Sequence, residues 1–153
     1  MDTAAGRDPL ERPLLVRRAA PADTRHVTAL LREVPLDGRE VADLIRRRGV
    51  LVLSDITLPP WAPPVAAAAF RLDPPGRTAE LSGIGVAPSS RQQGRARRLL
   101  SGALTWLRSQ GYERIQARAC PGSAGASLLA AAGFAADADA AAFAGRGRFV
   151  LLL

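Results

Sequence analysis

The sequence predicts an α/β or α+β fold in which a single sheet is covered by helices on both faces. Short apolar runs of strand length alternate with segments of helical periodicity, in the order β-α-α-β-β-β-α-β-α-β-β. We find no internal repeat and no interdomain linker. A length of 153 residues and a hydrophobic content of 48% are typical of one globular domain. We therefore expect one domain over residues 13–153, preceded by a flexible tail over residues 1–12.

The first half of the chain contains one strand, two helices and three further strands. We predict strands at 14–18, 50–53, 65–72 and 79–86, and helices at 21–33 and 39–48. Gly49 is expected to cap the second helix. The four prolines of Thr57–Pro64 exclude a strand there. The turn residues Asp73–Gly76 predict that the strands on either side form an antiparallel pair.

The second half continues with a long helix and ends in two strands. We predict helices at 94–110 and 123–132 and strands at 114–119, 134–138 and 148–153. The buried face of the long helix should contain Leu99, Leu100, Ala103, Leu104 and Leu107. Gly111 and Gly133 are expected to end the two helices.

Composition limits the function classes. The single cysteine, Cys120, excludes an intrachain disulfide and a cysteine-rich zinc site, and the single histidine, His26, excludes a histidine-rich metal site. No apolar run is long enough to span a membrane and the start has no secretory pattern, so we expect a cytoplasmic protein.

The chain is strongly basic, and all of its cationic side chains apart from His26 are arginines. Twenty-one basic residues against fourteen acidic ones give a net charge of +7. Arginine suits phosphate recognition. The same bias accompanies a high alanine content, as a GC-rich genome would produce, so a polyanionic ligand and compositional drift both remain open.

The stretch Gly85–Leu100 predicts a phosphate site. It reads as a strand, a short polar loop and then a helix that begins near Gly94. The first amides of a helix have no intrahelical partner, and the helix dipole favours an anion there. Gly94 and Ala96 leave room for a ligand to approach the backbone. The stretch is neither a Walker loop nor a Rossmann fingerprint; the alternative is an ordinary strand-to-helix turn with a solvated arginine face.

At this motif the chain resembles the GNAT superfamily of acyl-CoA-dependent N-acetyltransferases. Their signature Arg/Gln-x-x-Gly-x-Gly/Ala is matched by Arg91–Ala96, after a strand that ends Val86-Ala87-Pro88 and before the pair Leu99-Leu100. Further on, a helix of small residues ends at Gly133-Phe134, as in that family. The resemblance extends from Leu14 to Leu153. It implies a mixed, mostly antiparallel seven-stranded sheet flanked by four helices.

The resemblance also implies a reaction and a cofactor site. An acetyl group would pass from acetyl-CoA, as co-substrate and without a metal, to a primary amine of a small molecule or peptide by direct attack. The backbone of Ile84, Gly85 and Val86 would pair with the pantetheine arm, and the Val86 amide would polarise the thioester carbonyl. The pyrophosphate would lie against the loop and first helical turn, where the matching residues are Arg91, Gln92, Gln93, Gly94, Arg95, Ala96 and Arg97.

The catalytic residues depart from the family pattern. The tyrosine that usually protonates the leaving thiolate is replaced by Leu129, and Gly122 and Ser123 stand where an asparagine is common. Cys120 is a candidate acid, with a small buried hydrophobe as its other interpretation.

Glu80, on the strand that leads to Val86, is the best candidate for the base and also borders the acceptor; its other interpretation is a solvated charge near the start of the strand. Trp61 is a candidate wall or lid of the acceptor pocket, or a hydrophobic plug over the sheet.

Two other function classes remain as alternatives. The loss of the tyrosine favours a regulatory module that binds acetyl-CoA with weak or no catalysis. A nucleic-acid binder fits the charge but lacks the usual motifs. Trp106 is off the leucine face of the long helix and is interpreted as a packing residue or a homodimer contact. No motif specifies the acceptor amine.

Overall fold

The computed structural model describes residues 14–32, 34, 36–88, 94–120, 122–137 and 147–153. Its strands are β1 (Leu14–Arg18), β2 (Val50–Asp55), β3 (Ala66–Asp73), β4 (Thr78–Val86), β5 (Arg114–Ala119), β6 (Ala135–Ala136) and β7 (Gly147–Leu152). Its helices are a 3₁₀ turn (Pro21–Asp23), α1 (Thr24–Leu30), α2 (Gly38–Arg46), α3 (Arg95–Ser109) and α4 (Ala124–Ala131). The predicted tail, residues 1–12, lies outside the described residues.

The strands form one sheet in the order β1-β2-β3-β4-β5-β7-β6. Neighbouring strands are antiparallel except β4 and β5, which are parallel because α3 connects them. The predicted fold class, a mixed and mostly antiparallel sheet of seven strands with four α-helices, is confirmed.

Each face of the sheet packs against its own pair of helices. In β2, Leu51 and Leu53 contribute to the core beside α3 and α4, while Val50 and Val52 contribute to the core beside α1 and α2. All five residues of 66–70 in β3 are buried. A strand covered on both faces loses the usual alternation of apolar and polar residues, which explains the uninterrupted apolar run.

The ends of the first two helices differ from the prediction. α1 ends at Leu30, three residues before its predicted end. Val34 lies outside the helix and packs on the core beside α1 and α2. The α2 N-cap is Asp37, whose carboxylate accepts a hydrogen bond from the Glu40 amide at 2.8 Å. The prediction that Gly49 caps α2 is wrong. Arg48 takes the left-handed conformation, with φ +64°, and Gly49 is needed instead because a Cβ there would lie 2.2 Å from the carbonyl oxygen of Phe70.

The long helix α3 matches its prediction. Leu99, Leu100, Ala103 and Leu107 are fully buried, and Gly111 takes φ +90° after the last turn. Trp106 packs at the edge of the same core, as does the buried Tyr112. None of the helices in the described ranges is long and apolar enough to cross a membrane.

An ion pair between the half-buried Arg17 and the buried Asp23 joins β1 to α1. The Asp23 carboxylate accepts hydrogen bonds from the Arg17 guanidinium at 2.8 and 3.0 Å and from the Ala20 amide at 2.7 Å. The hydrogen bonds from Arg17 lower the pKa of Asp23 against the opposing effect of burial. The stabilisation is therefore complete above the unfolded pKa of about 4 and is lost as the pH falls through the lower folded pKa.

We expect Asp23→Asn to cost about 2 kcal/mol of unfolding free energy at neutral pH, because a charge-assisted pair is removed from a site that is only 8% exposed. Urea unfolding at several pH values checks this. The wild-type chain should lose more stability between pH 5 and pH 2 than the variant does; parallel curves would contradict the assignment.

Candidate functional site

A break in the sheet between β4 and β5 defines the site. The two strands pair from Thr78 opposite Arg114 to Leu81 opposite Ala117, and the described residues show no pairing between them beyond that point. The register between β3 and β4 shifts at the same level, which leaves Ser82 as an extra residue in β4. A bulge bends its strand, so β4 can leave β5 here without losing its pairing with β3.

The cavity that opens at this break crosses the sheet. Its volume is about 350 Å³. On one side Val34 lines it, next to the core of α1 and α2, and on the other side Leu129 lines it from α4. The complete lining is Val34, Leu81, Ser82, Gly83, Ile84, Arg118, Ala119, Cys120, Ser123, Gly125, Leu128 and Leu129. An extended ligand can therefore pass between the strands from one face to the other.

The backbone of β4 directs alternate amides toward this break. The Ala87 amide donates to the Val65 carbonyl at 2.8 Å, next to β3. Because amide directions alternate along a strand, the amides of Ile84 and Val86 point away from β3, toward the side on which β5 leaves. The Gly85 amide points toward β3, so the contribution of Gly85 to the site is its lack of a side chain.

Two glycines let the end of α1 approach β4. A Cβ on Gly85 would lie 2.0 Å from the carbonyl oxygen of Leu30, and one on Gly83 would lie 2.7 Å from a methyl group of Val34. Ile84 and Val86 pack against the core beside α3 and α4. Because side chains alternate along a strand, Gly83 and Gly85 lie on the opposite face, beside α1. The wall that Val34 gives the cavity depends on this close contact.

The N-terminus of α3 contains the last residues of the predicted phosphate motif. Gly94 is its N-cap, with φ +69°, and a Cβ at this position would have no other atom within 4 Å. The backbone conformation of Gly94, rather than crowding, therefore favours glycine. Ala96 is half-buried and Arg97 is exposed on the first turn. Arg91, Gln92 and Gln93 lie outside the described residues.

Two arginines of this turn are committed to the fold. Arg95 is only 4% exposed. The Arg98 guanidinium donates to the Leu14 carbonyl at 3.0 Å and so ties α3 to β1. Among the described arginines of this turn, Arg97 is the one that is both exposed and predicted to contact the cofactor.

Glu80 lies on the face opposite α3, because its neighbours Ala79 and Leu81 pack in the core beside α3. Its partners in the sheet are Arg71 on β3 and Gln116 on β5. It is exposed, and among the described residues its carboxylate has no hydrogen bond or ion pair. The carboxylate is thus available to a ligand that approaches this face.

The structure places both Cys120 and Leu129 in the lining of the same cavity. The Cys120 thiol is free and exposed, which does not fit the interpretation as a small buried hydrophobe. Leu129 is 3% exposed, so the position of the missing tyrosine does face the cavity and holds no proton donor. No group of three or more histidine, cysteine or carboxylate residues that could hold a metal occurs in the described ranges.

Trp61 does not take part in this cavity. Its side chain is 80% exposed on the proline-rich loop, so the interpretation as a plug over the sheet is wrong. Pro63 and Pro64 of the same loop line a smaller cavity of about 230 Å³ with His26 and Val86.

Val34 and Arg118 are among the lining residues that were not predicted from the sequence. The alternation in β5 already places Arg118 on the face opposite the buried Ile115 and Ala117, but only the pairing with β4 shows that it lies at the break. Val34 lies just beyond the predicted end of the first helix, and its approach to Gly83 has no sequence signal beyond the two glycines.

Comparison with known proteins shows the family to which the chain belongs. The acetyltransferase (GNAT) family model matches residues 51–134, which is more than half of the chain and includes β2 to α4. A search of curated proteins found no significant match.

Solved structures share the fold at low sequence identity. The IAA acetyltransferase from Bacillus cereus aligns with a TM-score of 0.69 and 16% identity over 92% of this chain and 99% of its own. The PaiA N-acetyltransferase from Thermoplasma acidophilum, in complex with coenzyme A, aligns with a TM-score of 0.73 and 12% identity over 92% and 99%. The N-acetylglutamate synthase from Neisseria gonorrhoeae, complexed with coenzyme A and N-acetyl-glutamate, aligns with 0.72 and 18% over 92% of this chain and 35% of its own.

The broken pairing of β4 and β5, the helix that starts after it and the family match agree with one another. They confirm the enzyme class predicted from the sequence, an acyl-CoA-dependent acetyltransferase. The chain belongs to the acetyltransferase (GNAT) family.

Proposed function

We propose that the protein transfers an acetyl group from acetyl-CoA to a primary amine of a small molecule or peptide by direct attack. The observation that carries this proposal is the cavity between β4 and β5, which crosses the sheet from the α4 side to the side of Val34 and Glu80. It lets a thioester enter from one face and an amine from the other.

The cofactor would follow β4 to the start of α3. The pantetheine arm would extend along the amides of Ile84 and Val86, as an added strand does. Its pyrophosphate would meet the backbone amides of the loop and first helical turn, which belong to Arg91, Gln92, Gln93, Gly94, Arg95, Ala96 and Arg97. Of the two described arginines among them, the exposed Arg97 would also offer its guanidinium, whereas the buried Arg95 would contribute only its amide. Two of the similar structures named above are complexes with coenzyme A, which supports a coenzyme A-based co-substrate.

Acetyl-CoA supplies an activated acetyl group as a thioester. Glu80 accepts a proton from the acceptor ammonium, so that the free amine can attack the carbonyl carbon. The Val86 amide donates to the carbonyl oxygen as it gains negative charge; the Ile84 amide has the same direction and lies at the cavity itself. As the carbon–sulfur bond breaks, Cys120 donates its proton to the leaving thiolate and regains one from solvent.

The regulatory alternative rests on Leu129, which removes the usual acid. Release of free thiol from acetyl-CoA over a panel of primary amines separates the two functions. Turnover above the hydrolysis background supports the enzyme. Tight binding of acetyl-CoA without turnover on any amine would support the regulatory module.

We expect Glu80→Gln to lower kcat by about 10²- to 10⁴-fold, the usual contribution of a general base. Initial rates measured from about pH 6 to about pH 10 check this prediction, and the variant should also lose the acidic limb of the wild-type profile. Glu113→Gln is the control, since Glu113 is an exposed residue at the other end of β5 whose ion pair with Arg77 contributes little. An unchanged pH profile in Glu80→Gln would remove Glu80 as the base.

A further inference from the structure

Within the part of the chain that the structure describes, one cationic side chain of the cavity has no partner. Arg118 lies on β5 directly after Ala117, the last residue that pairs with β4. Ile115, Ala117 and Ala119 pack in the core beside α3, so Arg118 points to the opposite face. It is exposed and lines the cavity that crosses the sheet. Its charge therefore lies where the acceptor amine must enter.

The surroundings of Arg118 leave this charge uncompensated. Its partner across the sheet on β7 is another arginine, Arg148. Arg148 is paired with Asp137, with a guanidinium nitrogen 2.6 Å from a carboxylate oxygen. Like charges directly opposite one another are destabilising. The carboxylate of Asp137 compensates the positive charge of Arg148. Within the described ranges, the side chain of Arg118 has neither a hydrogen bond nor an ion pair.

Glu80 supplies the opposite charge on the same face. It pairs with Gln116, two residues before Arg118 on β5. From the strand spacing and the rise per residue, the backbones of Glu80 and Arg118 are roughly 8 Å apart on the diagonal. The two side chains do not form an ion pair within 4 Å. A carboxylate and a guanidinium thus lie on the same face of the sheet without neutralising each other: Arg118 lines the cavity, and Glu80 lies on β4 just before the cavity-lining residues 81–84.

We propose that Arg118 binds the carboxylate of the acceptor, which makes the preferred acceptor a free amino acid or a similarly small amine that carries a carboxylate. This rests on the proposed acetyl transfer to an amine. The planar guanidinium binds a carboxylate through two parallel hydrogen bonds. Glu80 then faces the ammonium of the same molecule. A polyamine, or an amine without an anionic group, would leave Arg118 without a partner.

The test compares each amino acid with its carboxamide, which keeps the amine and removes the negative charge. Wild-type protein should acetylate at least one amino acid with a KM at least tenfold below that of the carboxamide. Arg118→Gln should raise the KM of the amino acid at least tenfold, leave that of the carboxamide within twofold, and leave the Kd of acetyl-CoA unchanged. The matched control is Arg108→Gln, which removes an exposed arginine from the last turn of α3.

A binding measurement separates this inference from the catalytic proposal. Calorimetric titration of the same amino acid into the protein saturated with coenzyme A needs no turnover. If no amine is acetylated but the amino acid binds and Arg118→Gln weakens that binding at least tenfold, acetyl transfer fails and the carboxylate site stands. The inference is overturned if the variant and wild type bind the amino acid equally, if no amino acid binds or reacts, or if the variant loses affinity for acetyl-CoA instead.

Discussion

Acetyl-CoA should bind to Gly94→Glu at least about 100-fold more weakly than to the wild-type chain. A glutamate at this N-cap places a negative charge against the pyrophosphate at the start of α3. Two unit charges about 4 Å apart near a protein surface interact by about 4 kcal/mol, and each 1.4 kcal/mol changes affinity about tenfold. Isothermal titration with acetyl-CoA measures the loss.

The variant also introduces backbone strain, which needs its own control. Gly94 has φ +69°, a conformation that costs a side-chain-bearing residue about 1–2 kcal/mol. Gly111→Glu is the matched variant, because Gly111 has φ +90°, is equally open around its missing Cβ and lies at the other end of α3. It should lose similar thermal stability and keep its affinity. Equal affinity in Gly94→Glu and wild type would refute the pyrophosphate site.

The spacing of apolar residues was sufficient to predict the helices and strands, because burial of their faces determines that spacing. α3 exposes one face and buries Leu99, Leu100 and Leu107, so its helical spacing is visible in the sequence. β3 is buried on both faces and gives a continuous apolar run bounded by prolines and a turn. The number of faces that an element buries thus determines its sequence pattern: one buried face gives a periodic pattern, and two give a continuous apolar run.

Helix ends were less predictable because they depend on contacts from elsewhere. Gly49 has the sequence position of a C-cap, but its small size serves the approach of the Phe70 carbonyl, and Arg48 takes the left-handed turn. The same holds for the end of α1, which was predicted at residue 33 and lies at Leu30, so that Val34 packs against Gly83 from outside the helix. A glycine in the sequence does not reveal which neighbour requires it.

The candidate site also combines features that local sequence predicts with features that depend on contacts from elsewhere in the chain. The small-residue turn at Gly94 is a local feature and was predicted from the residues themselves, whereas the role of the β4 backbone was implied by the family resemblance. Arg118 can be recognised as a site residue only from two long-range strand pairings. The pairing of β5 with β4 ends at Ala117, and the pairing of β5 with β7 places Arg148 opposite Arg118. Its spacing along β5 alone is that of any solvent-exposed strand residue.

The contact between α1 and β4 leads to the last prediction, that Gly85→Ala costs about 3 kcal/mol of unfolding free energy. The new methyl group would lie 2.0 Å from the carbonyl oxygen and 2.7 Å from the carbonyl carbon of Leu30. Both atoms are backbone, so relief requires the end of α1 to move off the sheet, and overpacking of this kind costs up to about 3 kcal/mol or more. Urea unfolding monitored by circular dichroism measures the change.

Two further glycine-to-alanine variants test whether the obstacle is the backbone. The three atoms nearest to an alanine Cβ at Gly83 belong to the side chain of Val34, at 2.7–3.2 Å, and not to backbone, so we expect a smaller cost of about 1 kcal/mol. Gly125→Ala, within α4, meets ordinary contacts at 3.7 Å and should stabilise by about 0.5–1 kcal/mol through helix propensity. Similar losses in Gly85→Ala and Gly83→Ala would contradict the backbone explanation.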